Sequence, residues 1–306
     1  MPEESLHGRG VFLPSHHLLS DAEIELLVRV FVKLGVHKVR LTGGEPLLRP
    51  GFTDLVKRVS RIEGITDLAL TTNAVLLPRC AVALKEAGLG RITVSLDSLD
   101  ETVFRQMAGG RGSLNEVLDG IRAAEQAGFK SLKINTVVQR NINDHTVLDL
   151  VEHFRNSGHT VRLIEFMDVG NVNHWDRELV VPSADLLKII HDRWALRPVA
   201  KQPLGETARR YAFCDGAGEI GFISSITEPF CGDCSRARIT ADGTFYSCLF
   251  SARGTKLRDR IREGLGEEEM TGVVRGLWTK RADRYSELRN HLPRAQPHVE
   301  MYRMGG

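Results

Sequence analysis

Cys231, Cys234 and Cys248 lie in "CGDCSRARITADGTFYSC" at the spacing C-x2-C-x13-C, with Arg236 and Arg238 between them. Three thiols in so short a stretch point to metal, and they leave one position of a tetrahedral centre to another donor. The segment reads as a β-hairpin about an Asp-Gly turn. With pairing symmetric about Asp242, Cys248 lies opposite Arg236. Strand alternation then puts Cys234, Arg236, Arg238 and Cys248 on one face. A bulge at Gly243 would shift that register. Two chemistries are open. One is a structural zinc completed by a histidine or by Cys214. The other is an iron–sulfur cluster with three protein thiolates and one open iron. Two fixed guanidiniums exceed what a structural zinc needs and suit an anionic ligand such as a phosphate.

A second candidate is "RLTGGEPLLR", Arg40 to Arg49. It follows a strand and is neither a dinucleotide-binding glycine loop nor a Walker A loop. Adjacent glycines at a strand end let backbone approach a ligand closely. Glu45 offers an acceptor suited to an ammonium group. By composition alone, a tight βα turn ending in proline is the favoured reading of the stretch.

The elements that must position these residues alternate. "HKVRLTGG", "ITDLALTTN", "GRITVSLD", "SLKINTVVQR" and "HTVRLIEFMDVG" read as strands, each preceded by a helix-period segment. Most of the helices begin near Asp, Ser or Thr and end at Gly, as capping requires. This rhythm predicts a parallel sheet, and its spacing suits a (β/α) barrel or part of one. Polar groups recur just past the strand ends, in "TGGEP", "TTN", "SLD" and "MDVG", where parallel sheets place their sites. After about residue 180 the rhythm gives way to short strands and turns. The expected division is residues 1–180, a partial barrel, and 181–306, a C-terminal segment carrying the cysteine hairpin.

Bulk properties bound the rest. The chain has 306 residues and a net charge of 41 − 39 = +2, which argues against a nucleic-acid footprint. No apolar run reaches a membrane span, and the first residues lack a signal-peptide pattern. A cytoplasmic, reducing location is expected. An odd count of five cysteines is then no disulfide framework. Cys80, in an amphipathic helix pattern, reads as an inert buried thiol.

Taken together and in order, "RLTGGEPLLR", "LTTN", "VSLD", "IEFMDVGN", the cysteine hairpin with its arginines and the terminal Gly-Gly resemble one family over the whole chain. They resemble the radical S-adenosylmethionine (SAM) enzymes of molybdenum cofactor biosynthesis called GTP 3′,8-cyclases. The resemblance implies an α/β, TIM-type barrel. It implies a radical cyclisation in which hydrogen leaves the ribose C3′ of GTP and that carbon joins guanine C8. A partner, cyclic pyranopterin monophosphate synthase, takes the product onward. A homodimer is compatible with the resemblance; a nucleic-acid or membrane partner is not expected. Residue by residue, Gly44, Glu45, Ser95 and Met167 match SAM contacts. Arg40, Thr71, Lys133, Arg236 and Arg238 match GTP contacts. Cys231, Cys234 and Cys248 match the ligands of a 4Fe–4S cluster whose open iron faces guanine. Gly305 and Gly306 match a tail that enters the active site.

The sequence also departs from the family pattern. The C-x3-C-x2-C loop that holds the SAM-bound 4Fe–4S cluster should precede "MPEES", and no cysteine precedes Cys80. The expectation is a partial barrel lacking its first strand, one cluster at most, no turnover as written, and an unpaired edge at "KVRLT". A misplaced start some 30 residues downstream (about one strand and loop) would account for this. The alternative is a non-catalytic GTP-binding paralogue with one cluster or a structural zinc. Ala74 and His174 stand where glycine is usual, and either would narrow the pocket.

Overall fold

The computed structural model describes residues 14–171, 173–199, 205–232, 234–289 and 299–305. The five apolar runs form strands β1 (Lys38–Leu41), β2 (Asp67–Thr72), β3 (Arg91–Ser95), β4 (Lys133–Val138) and β5 (Thr160–Glu165). Helices α1 (Asp21–Lys33), α2 (Phe52–Ser60), α3 (Leu77–Glu86), α4 (Glu101–Ala108), α5 (Leu114–Gln126) and α6 (Val147–Phe154) alternate with them. Local chemistry sets several helix starts. Ser20 and Ser113 each form a capping box, with Glu23 and Glu116 respectively. Asp100 accepts from the Val103 amide. These contacts satisfy amides that a helix start otherwise leaves bare.

β1 to β5 pair in parallel and in sequence order. After α7 (Ser183–Arg193) come β6 (Leu196–Pro198), β7 (Arg209–Phe213) and β8 (Glu219–Ile223). β8 joins β5 in parallel, and β7 and β6 extend the sheet antiparallel. The segment after residue 180 therefore adds three strands to the sheet begun before it. The architecture is a partial TIM-type barrel, an open eight-stranded sheet with β1 and β6 at its edges. β1 is short, and its exposed Lys38 is the sort of charge that blunts an edge.

The main core lies between the convex face of the sheet and the helices, with Leu70, Ile92, Ile134 and Leu163 among its buried residues. The concave face differs. In β4, Ile134, Thr136 and Val138 are buried, while Lys133, Asn135 and Val137 face the opening. Register places Thr71, Thr93 and Lys133 in one row, and Ser95, Asn135 and Arg162 in the next. A filled barrel carries branched apolar layers at these positions. Here polar side chains line the lumen, the inner face of the sheet.

A smaller core ties the hairpin to the barrel. The hairpin strands are β9 (Arg238–Ile239), β10 (Thr244–Tyr246) and β11 (Thr255–Lys256), followed by α8 (Leu257–Arg262) and α9 (Glu267–Thr279). Phe245, Leu257, Met270 and Val274 pack against Leu19, Leu27 and Val30. The Phe245 ring stacks on Phe31 of α1 with centroids 6.0 Å apart. Burying one phenylalanine contributes about 2–3 kcal/mol, enough to hold a short hairpin in place.

Candidate active site

The hairpin keeps the symmetric register. Ile239 pairs with Phe245, and Arg238 with Tyr246. Gly243 closes the turn, its amide donating to the Thr240 carbonyl at 2.8 Å while Thr240 N donates to Thr244 O at 3.0 Å. Gly243 has φ +78°, so the extra turn residue is absorbed in a left-handed position outside the ladder. Continued two residues beyond the Arg238–Tyr246 pair, past the ends of the paired strands, the same register sets Arg236 opposite Cys248. Phe245 and Ile239 point into the small core, which turns the arginine and cysteine face toward the lumen.

Around the cysteines the contacts are dense. Arg236 donates from both Nε and Nη2 to the Cys234 sulfur, each at 3.3 Å. Burial raises the Cys234 thiol, but Arg236 and Arg281 outweigh it and leave the net shift downward. Burial pushes the Cys248 thiol up, and Asp283, Cys234 and Cys231 add to that. The three sulfurs thus share one locale. Among the described residues, no set of three or more His, Cys, Asp or Glu side chains stands ready to hold a metal ion. Cys214 cannot complete a site with them. It follows antiparallel β7 and sits at the starting end of β8, opposite the end from which the chain runs to Cys231. Cys80 is half-buried on α3 and donates to the Leu76 carbonyl, as an inert thiol would.

The lumen is cationic. Arg40 on β1 donates to the Thr71 hydroxyl at 2.7 Å and to the Thr93 hydroxyl at 3.0 Å. Burial, then Arg91, lower its proton affinity. Lys133 is brought down to about 8 by burial and by Arg162, Arg91 and Arg40, with Glu206 opposing. Arg162 falls to about 10 from burial and the charges of Arg40 and Arg91. Arg238 falls to about 10 from burial and Arg236, with Arg40 contributing across the lumen. Among the described residues, none of Arg40, Lys133, Arg162 and Arg238 forms an ion pair with a carboxylate. Like charges gathered with Glu206 and Asp67 as their nearby carboxylates are costly, and an anion that joins them lowers the cost.

Arg162 is the residue the sequence reading passed over. It is a cation in mid-strand, the same signal that marked Arg40 and Lys133, and it donates to Asn135 at 2.9 Å. Glu165, at the end of β5, also went unmarked. It is fully buried and accepts from the amides of Ser183, Ile226 and Thr227 and from the Thr227 hydroxyl. That carboxylate fixes the loop leading from β8 to Cys231. A third unmarked group clamps the hairpin from behind. Arg281 donates to the Cys234 carbonyl. Asp283 accepts from Ser247 at 2.6 Å and from Ser251 at 3.4 Å, on either side of Cys248. In α10 (Tyr285–Leu288) and just beyond it, Tyr285 and Arg289 both hold Asp168 of the "EFMDVG" strand end.

The remaining predicted positions fall at strand ends. Neither Gly43 nor Gly44 has anything within 4 Å of where a Cβ would be, and neither has positive φ. Packing within the chain therefore does not demand glycine there, and the open space beside them is available to a ligand. Glu45 is already engaged: it accepts from Leu47 N, Thr72 Oγ1 and Asn73 N. It shapes the turn, with limited acceptor capacity left over. Ser95 is exposed at the end of β3. Met167 packs against the small cluster of Ile164, Ala208 and Ile223. Gly305 lies beside Thr42, whose Cγ2 would stand 2.5 Å from an added Cβ. Gly306 lies outside the described residues. Ala74 is left-handed at φ +69° and fully buried in the main core against Gly120, so its methyl does not reach the lumen. His174, at φ +45°, is exposed.

Comparison with known proteins bears on the family and the fold. Residues 9–154 match the Radical SAM superfamily model, and residues 159–287 match the Molybdenum Cofactor Synthesis C model. A protein named GTP 3′,8-cyclase from Xanthomonas campestris pv. campestris (strain 8004) is 56% identical, over 96% of this chain and 86% of its own. One of the same name from Aquifex aeolicus (strain VF5) is 44% identical, over 96% of this chain and 89% of its own. Two solved structures share the fold. SuiB of Streptococcus suis bound to S-adenosylmethionine has a TM-score of 0.58 at 13% identity, over 92% of this chain and 69% of its own. The anSMEcpe structure with bound AdoMet and the Cp18Cys peptide has a TM-score of 0.54 at 15% identity, over 93% and 86%. No helix among the described residues is long and apolar enough to cross a membrane. With a partial radical SAM barrel, a cysteine hairpin facing its lumen and relatives at this identity, the chain belongs to the GTP 3′,8-cyclase family.

Proposed function

We propose that this chain binds GTP in the cationic lumen and serves its conversion to 3′,8-cyclo-7,8-dihydro-GTP in molybdenum cofactor biosynthesis. The observation that carries this reading is that Arg40, Lys133, Arg162 and Arg238, none of them in an ion pair among the described residues, stand close enough to lower one another's proton affinity, with Arg40 hydrogen-bonded to Thr71 and Thr93 and Arg162 to Asn135 in the polar rows. A triphosphate is the anion whose charge matches such a set.

Three soft thiols beside two guanidiniums fit a 4Fe–4S cluster held by Cys231, Cys234 and Cys248. SAM on a separate 4Fe–4S cluster, the kind a C-x3-C-x2-C loop holds, would supply the one-electron chemistry that takes hydrogen from an unactivated ribose carbon, while the hairpin cluster would face guanine. The residues of the chain do the rest. Arg40, fixed by Thr71 and Thr93, acts with Lys133 and Arg162 to hold the phosphates. Arg236 and Arg238 hold the substrate at the hairpin side. Gly44 leaves room for the methionine end of SAM, with Ser95 and Met167 at the ends of β3 and β5 and Glu45 shaping the turn. Gly305, beside Thr42 and with its carbonyl on Arg238, helps to close the lumen against water. The product then passes to cyclic pyranopterin monophosphate synthase. GTP binding to the anaerobically reconstituted chain tests the reading. Arg236→Ala and Arg238→Ala each weaken it by about tenfold or more, the worth of a charge-assisted hydrogen bond. Unchanged affinity in both variants would overturn it.

A further inference from the structure

The C-terminal turn is held in place by something other than itself. Helix α11 (Met301–Met304) has four residues, too few to persist on their own hydrogen bonds. Yet Met304 is buried, at 2% exposure. The carbonyls of Met304 and Gly305 both accept from Arg238 Nη1. The tail therefore sets the direction of a guanidinium that faces the lumen.

Besides Arg238 and the burial of Met304, two side chains of the tail, Arg303 and Glu300, tie it to the rest of the molecule. Arg303 stands 3.7 Å from Asp242 at the hairpin tip, and its side chain is about half exposed. A pair of that kind adds little. The other anchor is better built. Glu300, the residue before α11, turns its carboxylate into the Gly170–Asn171 turn that follows β5. Its Oε1 accepts from Asn171 N at 2.9 Å and from Asn171 Nδ2 at 3.1 Å. The Glu300 main-chain carbonyl accepts from Arg303 N and Met304 N, so the same residue starts the turn it anchors. The seat is shaped for it. Gly170 has φ +80°, and a Cβ there would overlap the Glu300 carboxylate and lie 3.3 Å from its Cα.

We propose that Glu300 is a latch: seated in the Gly170–Asn171 turn, it holds the tail where the Met304 and Gly305 carbonyls orient Arg238 for the substrate anion. Glu300 is a positioning residue, acting through the tail. The role given to Arg238 rests on the GTP reading above; the latch itself does not.

Hydrogen exchange on the whole chain, paired with GTP binding, tests both halves. In Glu300→Ala, exchange at the Met304 and Gly305 amides accelerates about tenfold. In Glu300→Gln, which keeps an acceptor for the Asn171 amide, it stays within about threefold of the parent. The dissociation constant for GTP rises about fivefold in Glu300→Ala and returns toward the parent value in Glu300→Gln. Parent-like exchange in Glu300→Ala would overturn the latch. Faster exchange with unchanged GTP affinity would overturn its hold on Arg238. A parent chain that does not bind GTP would refute the functional reading instead, while the exchange measurement still decides the latch.

Discussion

Lys133 offers a sharp test of the cationic lumen. Burial lowers its proton affinity first; Arg162 on β5, Arg91 on β3 and Arg40 on β1 lower it further, and Glu206 opposes them. The result is a group that titrates at about 8 instead of near its ordinary value of 10.5. A bound triphosphate supplies the missing counter-charge and restores the protonated form, so binding takes up a proton in this range. The sign follows from linkage. A ligand that raises the pKa of a group gains its full benefit below the free-protein value and loses it as pH rises above that value. Arg162 and Arg238, at about 10, titrate well above Lys133, so Lys133 governs the change near pH 8. With a free value of about 8, the affinity carried by Lys133 falls about fivefold from pH 8 to pH 9 and about tenfold per unit above that. GTP itself ionises in the same range. The quantity to measure is therefore the ratio of GTP affinities of the parent and of Lys133→Arg, taken by calorimetry at each pH. Arginine stays charged throughout, so the ligand's own ionisation cancels. The ratio should be flat from pH 6.5 to 7.5 and then decline. A ratio that stays flat to pH 9.5 would show that Lys133 does not share the lumen with the ligand as described.

Two further outcomes follow from the packing. Asp283→Ala removes the acceptor shared by Ser247 and Ser251 on either side of Cys248. The variant should retain less iron after anaerobic desalting and lose about 1–2 kcal/mol of stability; parent-like iron retention would refute the clamp. Gly120 lies inside α5, where alanine normally stabilises a helix by about 1 kcal/mol. Here an added Cβ would overlap the Ala74 carbonyl of the left-handed turn, so Gly120→Ala should destabilise by about 1–3 kcal/mol in denaturant unfolding. A stabilised variant would contradict that packing.

The parallel strands were legible because each is an apolar run of the right length between a capped helix and a polar turn. The hairpin register was legible too, since Gly243 takes the extra turn residue in a conformation open to glycine and leaves the pairing about Asp242 intact. What escaped the sequence is the support. Arg281, Asp283, Tyr285 and Arg289 meet partners 32 to 121 residues away, and no local period announces such contacts. Glu165 reads as one more residue of an apolar strand until its four donors are seen. Glu45 suggested a ligand by charge alone, whereas its oxygens are engaged in holding the turn. Ala74 and His174 looked like obstructions because a sequence gives residue size but not direction: one side chain enters the core and the other faces outward.

The most direct test of the central claim is the iron and sulfide content of the anaerobically reconstituted chain, read together with its electron paramagnetic resonance spectrum before and after GTP. About four irons and four sulfides per chain, lost when Cys231, Cys234 and Cys248 are replaced together, with a spectrum altered by GTP, is the predicted result. One zinc without sulfide, or a cluster whose spectrum GTP leaves unchanged, would contradict it.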